Sequence, residues 1–242
     1  MNKTAQKVRE AYECIRNGGL VLVPTNVAYG LIGHSEDAIR KMFALKGRSL
    51  SNPCVTFGNL SVLKKLSDLD EKYYSIAEEL AKKYMLSLVI PLKKDSQLTS
   101  KLSPYVYQHA VTDETIALYM NLGEFSDKLV ELGEKDDLLL VGSSANLSHT
   151  GNNYTFEDVE QSIKNGVDFM YDSGLCPYHH PTGRPGTIVD IASLQMDDAI
   201  KFVRKGALYP EIYGAIKYML TGKVEYPFDM DSYLEGYGSK NS

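Results

Sequence analysis

The chain lacks any apolar run approaching the length of a membrane span, so no transmembrane helix is expected. It is poor in cysteine: Cys14, Cys54 and Cys176 are the three, odd in number and far apart. That pattern supplies neither a disulfide framework nor a zinc site, and it fits reduced thiols in the cytoplasm. Positive charge is not in excess. The 26 Lys and Arg stand against 31 Asp and Glu, for a net charge of -5, which excludes a protein that coats nucleic acid with its whole surface. A local basic concavity stays open. The first four residues run straight into a charged helical pattern and lack the apolar stretch of a secretory signal. No internal repeat and no shift of composition divides the 242 residues, and 43% hydrophobic with 24% charged residues fits one folded unit.

What is present reads as alternating helices and strands. Val8, Ala11, Tyr12 and Ile15 share one face of a helix opened by Thr4 and stopped by Gly18-Gly19. Leu20–Val23 reads as a buried strand ended by Pro24, with a loop over 25–30. Ser35 caps a second helix, whose end carries Lys46 and Arg48. The pattern continues as a strand over 53–57, helices over 60–66 and 71–84, and a strand over 86–92. Residues 95–110 read as a surface loop, 115–120 as a strand and 125–132 as a helix. A strongly apolar strand over 138–141 feeds Gly142-Ser143-Ser144-Ala145-Asn146. Thr155 caps a helix to Ile163, strands follow over 168–171, 186–191 and 199–204, and a last helix spans 210–220. The tail beyond Gly222 is expected to pack loosely. The regular alternation that later breaks down predicts an α/β fold: one twisted mixed sheet with helices packed on one side.

Two polar motifs stand out. Lys46-Gly47-Arg48 places two fixed cations at a helix end, and Ser144-Ala145-Asn146 places a hydroxyl and an amide just after a strand. Taken alone, the first is a solvated helix end and the second ordinary turn chemistry. Together at the carboxyl end of a sheet they would cradle a triphosphate. Nucleotidyl transfer needs positive charge over the phosphate oxygens more than it needs a protein nucleophile. The loop Pro24–Leu31 offers either a tight turn with Tyr29 in the core or a substrate loop with the Thr25 hydroxyl facing the cleft. No metal-ligand cluster is visible, and His179-His180 lacks a carboxylate partner.

Five motifs in register carry a resemblance: Pro24-Thr25-x-x-x-Tyr29-Gly30-Leu31, Lys46-x-Arg48, Ser144-Ala145-Asn146, Thr187-Ile188-Val189-Asp190 and Arg204-x-Gly206. In their order and spacing the chain resembles the YrdC-like proteins, the threonylcarbamoyl-adenylate synthases of tRNA modification, over roughly residues 5–208. Residues 209–242 would then be a C-terminal helix and tail. The resemblance implies a concave cationic cleft and a reaction of ATP with bicarbonate and an amino acid, by family default L-threonine. It implies that Lys46, Arg48, Ser144 and Asn146 hold the phosphates and the new anhydride. Arg204 would lie near the nucleotide, and Thr25 and Tyr29 on the carbamate side. Mg²⁺ would be held mainly through phosphates and water. Double-stranded RNA is a further partner that the family implies, and a non-catalytic nucleotide- or RNA-binding module is the alternative reading.

The departures from that pattern cluster. Phe57 stands where the family has a histidine, Tyr119 where it has an arginine, and Gly186 where it has a serine. The family's Trp-Pro-Gly-Pro-Leu-Thr run is reduced to Lys83-Tyr84-Met85-Leu86-Ser87, and the chain has no tryptophan. The first three are positions that the family uses to hold its amino acid. Losing the arginine removes a carboxylate fork. The expectation is therefore that the ATP side is kept and the amine is changed, with Arg184 as a replacement anchor for an anion.

Overall fold

In the computed structural model, which describes residues 3–47, 49–148, 150–179 and 184–227, ten strands form one mixed sheet. They are β1 (Val21–Pro24), β2 (Tyr29–Gly33), β3 (Val55–Phe57), β4 (Leu86–Pro91), β5 (Val111–Thr112), β6 (Thr115–Met120), β7 (Leu140–Ser144), β8 (Phe169–Met170), β9 (Ile188–Asp190) and β10 (Lys201–Arg204). The helices are α1 (Lys3–Arg16), α2 (Glu36–Lys46), α3 (Leu60–Leu66), α4 (Glu71–Lys83), α5 (Gln97–Ser100), α6 (Pro104–Ala110), α7 (Glu124–Lys135), α8 (Gln161–Gly166), α9 (Ile191–Asp197) and α10 (Tyr209–Thr221). The spatial order is β10-β9-β4-β6-β3-β7-β2-β1-β8, with β5 paired to β6. Three pairs are parallel (β3 with β6, β4 with β9, β1 with β8) and the others antiparallel, so the sheet is mixed as expected.

The period-2 alternation of a strand makes two different faces out of the sheet's β4–β6–β9 region. Leu86, Leu88 and Ile90 of β4, Ile116 and Leu118 of β6 and Val189 of β9 are buried on one face. Each fully buried Leu or Ile side chain contributes roughly 1.5–3 kcal/mol. Their alternates Ser87, Val89, Ala117, Tyr119 and Ile188 point to the other face and line a cleft. β1 and β2 are buried on both faces. α10 carries Ile212 and Ile216, both wholly buried in the core.

Several boundaries differ from the sequence reading. The 25–30 loop is only a tight turn, because Tyr29 already opens β2 and pairs with Pro24. β2 reads Tyr-Gly-Leu-Ile-Gly, and its two glycines disguise a strand. The 95–110 segment is not a surface loop: Leu98, Val106, His109 and Ala110 are buried in α5 and α6. Ser103 caps α6 by accepting from the Val106 amide, and Pro104 sits in its first turn. The Thr155 hydroxyl does accept from the Asp158 amide at 3.2 Å, but only a turn follows, and α8 starts at Gln161. The strand expected over 186–191 is cut short because Asp190 caps α9 through the Ser193 amide. The tail from 228 onward lies outside the described residues.

Candidate active site

The end of α2 and the exit of β7 are brought together by a buried lysine. Gly47 stops α2 in the left-handed conformation (φ 56°), and its amide caps the carbonyls of Phe43 and Ala44. Lys46, one residue earlier, is 2% exposed. Its Nζ donates to the carbonyl of Ser144, to the carbonyl of Asn146 at 2.6 Å and to Asn146 Oδ1 at 3.4 Å. An ammonium taken from water is costly unless oxygens replace its hydration shell, and here three do. Ser144 Oγ donates to Asn146 Oδ1 at 2.5 Å, and the Ser148 amide donates to the Lys46 carbonyl at 3.1 Å. Lys46, Ser144 and Asn146 therefore form one connected polar cluster. Arg48, the fourth member expected from the sequence, lies outside the described residues, as does His180.

Beside this cluster a cleft of about 300 Å³ opens over the free face of the sheet. Ser143 and Ser144 line one side, Thr25 and Val27 to Gly30 the turn above, and Gly186, Ile188, Val203 and Arg204 the far side. Its floor is Val55 and Phe57 of β3, Ala117 and Tyr119 of β6, and Ser87 and Val89 of β4. Lys46 and Asn146 adjoin the cleft through Ser144 and are not part of its wall. Among the described residues Arg204 is the one Lys or Arg in that wall.

Thr25 is 8% exposed, and its Oγ1 closes the turn, donating to the Ala28 carbonyl at 2.6 Å and accepting from the Ala28 amide at 3.2 Å. Tyr29 lines the cleft but is wholly buried; its hydroxyl donates to the Gly174 carbonyl at 2.9 Å and accepts from the Ser173 amide at 3.0 Å. Burial pushes that phenol's pKa up. Both hydroxyls thus build the turn and its contact with the 172–174 segment. Cys176, also buried, is pushed up to about 12 by burial, against the pull of the Thr25 amide.

Across the floor, the Tyr119 hydroxyl fills the space that a β-carbon on Gly186 would occupy. Among the described residues it makes one weak bond, to Met85 Sδ at 3.6 Å. Burial raises its pKa, and the charge of Arg204 works in the other direction. Arg204 Nε donates to the Gly186 carbonyl at 2.8 Å. Gly206 is required for the same approach, since any β-carbon there would strike the carbonyls of Pro185 and Gly186. Thr187 Oγ1 fixes the crossing by donating to the Ala207 carbonyl at 2.6 Å and accepting from the Gly206 amide at 3.1 Å. Arg184 is 7% exposed, its carbonyl accepting from Tyr154 Oη at 3.2 Å; Pro185 and Gly186 line the cleft, and Arg184 does not.

The cleft residue to which the sequence reading gave no role is Ser87, the last of the Lys83–Ser87 run. It is 1% exposed, lines the cleft, and its Oγ has no hydrogen-bond partner among the described residues. One signal could have found it: a single hydroxyl at the cleft-facing phase of an otherwise apolar strand. Cys54, Asn52 and Asn152 are further wall residues that no motif marked.

Comparisons with known proteins bear on the family and the fold. The chain is 26% identical over 223 residues to a threonylcarbamoyl-AMP synthase of Pyrococcus abyssi, which covers 86% of this chain and 60% of the relative. It is 26% identical over 217 residues to that of Bacillus subtilis, covering 87% and 56%. The chain thus spans little more than half the length of these relatives. Among solved structures, P. abyssi Sua5 complexed with L-threonine superposes with a TM-score of 0.68 at 25% identity, covering 91% of this chain and 58% of that one. Escherichia coli YciO superposes with a TM-score of 0.66 at 18% identity, covering 85% and 91%, a likeness of fold. The Sua5/YciO/YrdC family model, described as telomere recombination, matches residues 13–206. On that span, and on the shared fold, the chain belongs to the Sua5/YciO/YrdC family.

Proposed function

We propose that this chain joins ATP to the carbamate of a small amine, releasing pyrophosphate and leaving a carbamoyl-adenylate in the cleft. The observation that carries this reading is the meeting of Lys46, Ser144 and Asn146 beside the cleft. The relatives named above are threonylcarbamoyl-AMP synthases, which supports the same reaction class. The carbamate forms from the amine and bicarbonate-derived carbon dioxide. Its oxygen attacks the α-phosphorus, the bond to the β-phosphate oxygen breaks, and pyrophosphate departs with the electron pair. Lys46 exchanges carbonyl oxygens for phosphate oxygens, and Ser144 and Asn146 hydrogen-bond the phosphates; Arg48 adds a second charge and Arg204 steadies the nucleotide from the far side. The protein's part is positioning and charge neutralisation. Among the described residues no group of three His, Cys, Asp or Glu could hold a metal, and Mg²⁺ is taken to arrive as part of the Mg–ATP substrate.

On this reading the amine is not L-threonine. Among the described residues, Phe57 and Tyr119 on the floor and Gly186 on the far side offer no cationic side chain of their own, and a site that loses its carboxylate partners rejects the ligand that needs them. Pyrophosphate release from Mg–ATP, bicarbonate and a panel of amines, with mass spectrometry of any adenylate, tests the reading. A specific observation favours one rival. Because Lys46 is already enclosed by oxygens, a protein that binds ATP without turning it over fits the same geometry. ATP binding with no pyrophosphate in any arm would select that module, and RNA binding with a steep salt dependence would select a nucleic-acid partner.

A further inference from the structure

Ser87 is the one cleft-lining side chain whose buried oxygen is left without a partner among the described residues. It sits at the centre of the free sheet face. Its strand neighbours are Tyr119 on β6 and Ile188 on β9, and both line the cleft. Its own amide is used, donating to the Thr187 carbonyl at 2.9 Å, so the backbone is fixed and only the hydroxyl is unspent. A buried hydroxyl without a partner is costly, and such groups are rare in native interiors unless a ligand or water completes them. Around it the walls are apolar or neutral: Phe57, Val89, Ala117, Ile188 and the Tyr119 phenol. The cationic side chain of the wall, Arg204, comes from β10 at the sheet edge, where its Nε is held by the Gly186 carbonyl.

We propose that this inner part of the cleft is a subsite for the uncharged body of the amine, with Ser87 Oγ hydrogen-bonded to its one neutral polar atom. The inference rests on the ATP-dependent reading above and adds to it a substrate class: small amines with an apolar frame, one hydroxyl or carbonyl, and no carboxylate. The chemistry of the floor selects that class. Among the described residues a carboxylate placed against Ser87 has neutral hydroxyls and hydrocarbon to replace its water, while the Arg204 guanidinium is engaged by the Gly186 carbonyl at the edge, which disfavours it. A hydroxyl finds one matched partner and an apolar wall for the attached carbons. Tyr119 contributes by occupying, rather than opening, the space next to Gly186.

The test compares two probes that differ by one carboxylate: L-threonine and (R)-1-amino-2-propanol. Each is titrated calorimetrically into the full chain with Mg–ATP and bicarbonate present, for wild type and for Ser87→Ala. The amino alcohol is expected to bind wild type at least about tenfold more tightly than L-threonine, and Ser87→Ala to lose about tenfold for the amino alcohol, the size of one hydrogen bond. ATP affinity is expected to be the same in both proteins. Equal or tighter binding of L-threonine, no binding of the amino alcohol, or unchanged selectivity in Ser87→Ala overturns the subsite. Those results are distinguishable from failure of the underlying reading, which would show as no saturable ATP binding in either protein.

Discussion

Tyr119 and Gly186 are a matched pair: the phenol oxygen of one stands where the β-carbon of any other residue at the second position would be. The two come from β6 and from the segment leading into β9, and β4 lies between those strands with Ser87 at the same level. Neither can be changed alone without consequence, and between them they set the depth of the cleft.

Adding a side chain at Gly186 is therefore expected to destabilise the fold. Gly186→Ser should cost about 1–3 kcal/mol, the usual range for overpacking. Gly186→Ser combined with Tyr119→Leu should recover most of that loss. A double-mutant cycle by urea unfolding measures it; strictly additive costs would show that the two residues do not share the space.

Lys46 has a structural duty in addition to its proposed chemical one. Its ammonium ties the end of α2 to the Ser144–Asn146 loop, and truncation leaves those oxygens buried without a donor. Lys46→Met should cost roughly 2–4 kcal/mol, within the range for breaking buried charged hydrogen bonds. Lys46→Arg should not restore it, because a planar fork does not fit a cage made for a point charge. Thermal and urea unfolding of the three proteins test this, and a Lys46→Met protein as stable as wild type would contradict the cage.

Ser87→Ala should behave in the opposite way. Removing a hydroxyl that has no partner relieves a desolvation cost, so stability should stay within about 0.5 kcal/mol of wild type or rise. A loss above about 1 kcal/mol in urea unfolding would mean that the hydroxyl is satisfied in the free protein.

Cys176 gives a pH dependence of known sign. Its thiol is pushed up to about 12 in the folded state by burial, while an unfolded thiol ionises near about 8.5. The unfolded state therefore releases its proton first, and stability falls as pH rises from about 8.5 towards 12, by about 1–2 kcal/mol at pH 10. Cys176→Ala should flatten that alkaline limb in urea unfolding. In the native protein at pH 8, a thiol reagent should modify the half-buried Cys14 well before Cys176.

Much of this was legible in the sequence. The strong apolar periods of α1, α2, β4, β6 and β7 announced themselves, and the Ser35 cap opened the helix whose end carries Lys46, while the Gly47 stop came from the structure. Lys46 and Asn146 could be named as partners a hundred residues apart because strand exits and helix ends meet at the edge of an α/β sheet. What escaped was set by tertiary context. β2 hides behind two glycines, and α5 and α6 hide in a polar stretch whose few apolar residues happen to be buried. The Thr25 and Tyr29 hydroxyls look like ligand groups in a motif, yet they are spent on the turn and the 172–174 segment. Ser87 shows the reverse: it closes the altered Lys83–Ser87 run, and it gains a role only when its neighbours among the described residues are seen to leave its hydroxyl unpaired.

The most direct measurement is calorimetric titration of Mg–ATP into the full chain and into Ser144→Ala and Asn146→Asp. The first variant removes a hydroxyl and the second places a negative charge beside Lys46. Saturable binding to wild type, weakened about tenfold by Ser144→Ala and by about a hundredfold or more by Asn146→Asp, is the expected result. Wild-type-like affinity in both variants, with the fold intact, would contradict the assignment of this cluster to the nucleotide.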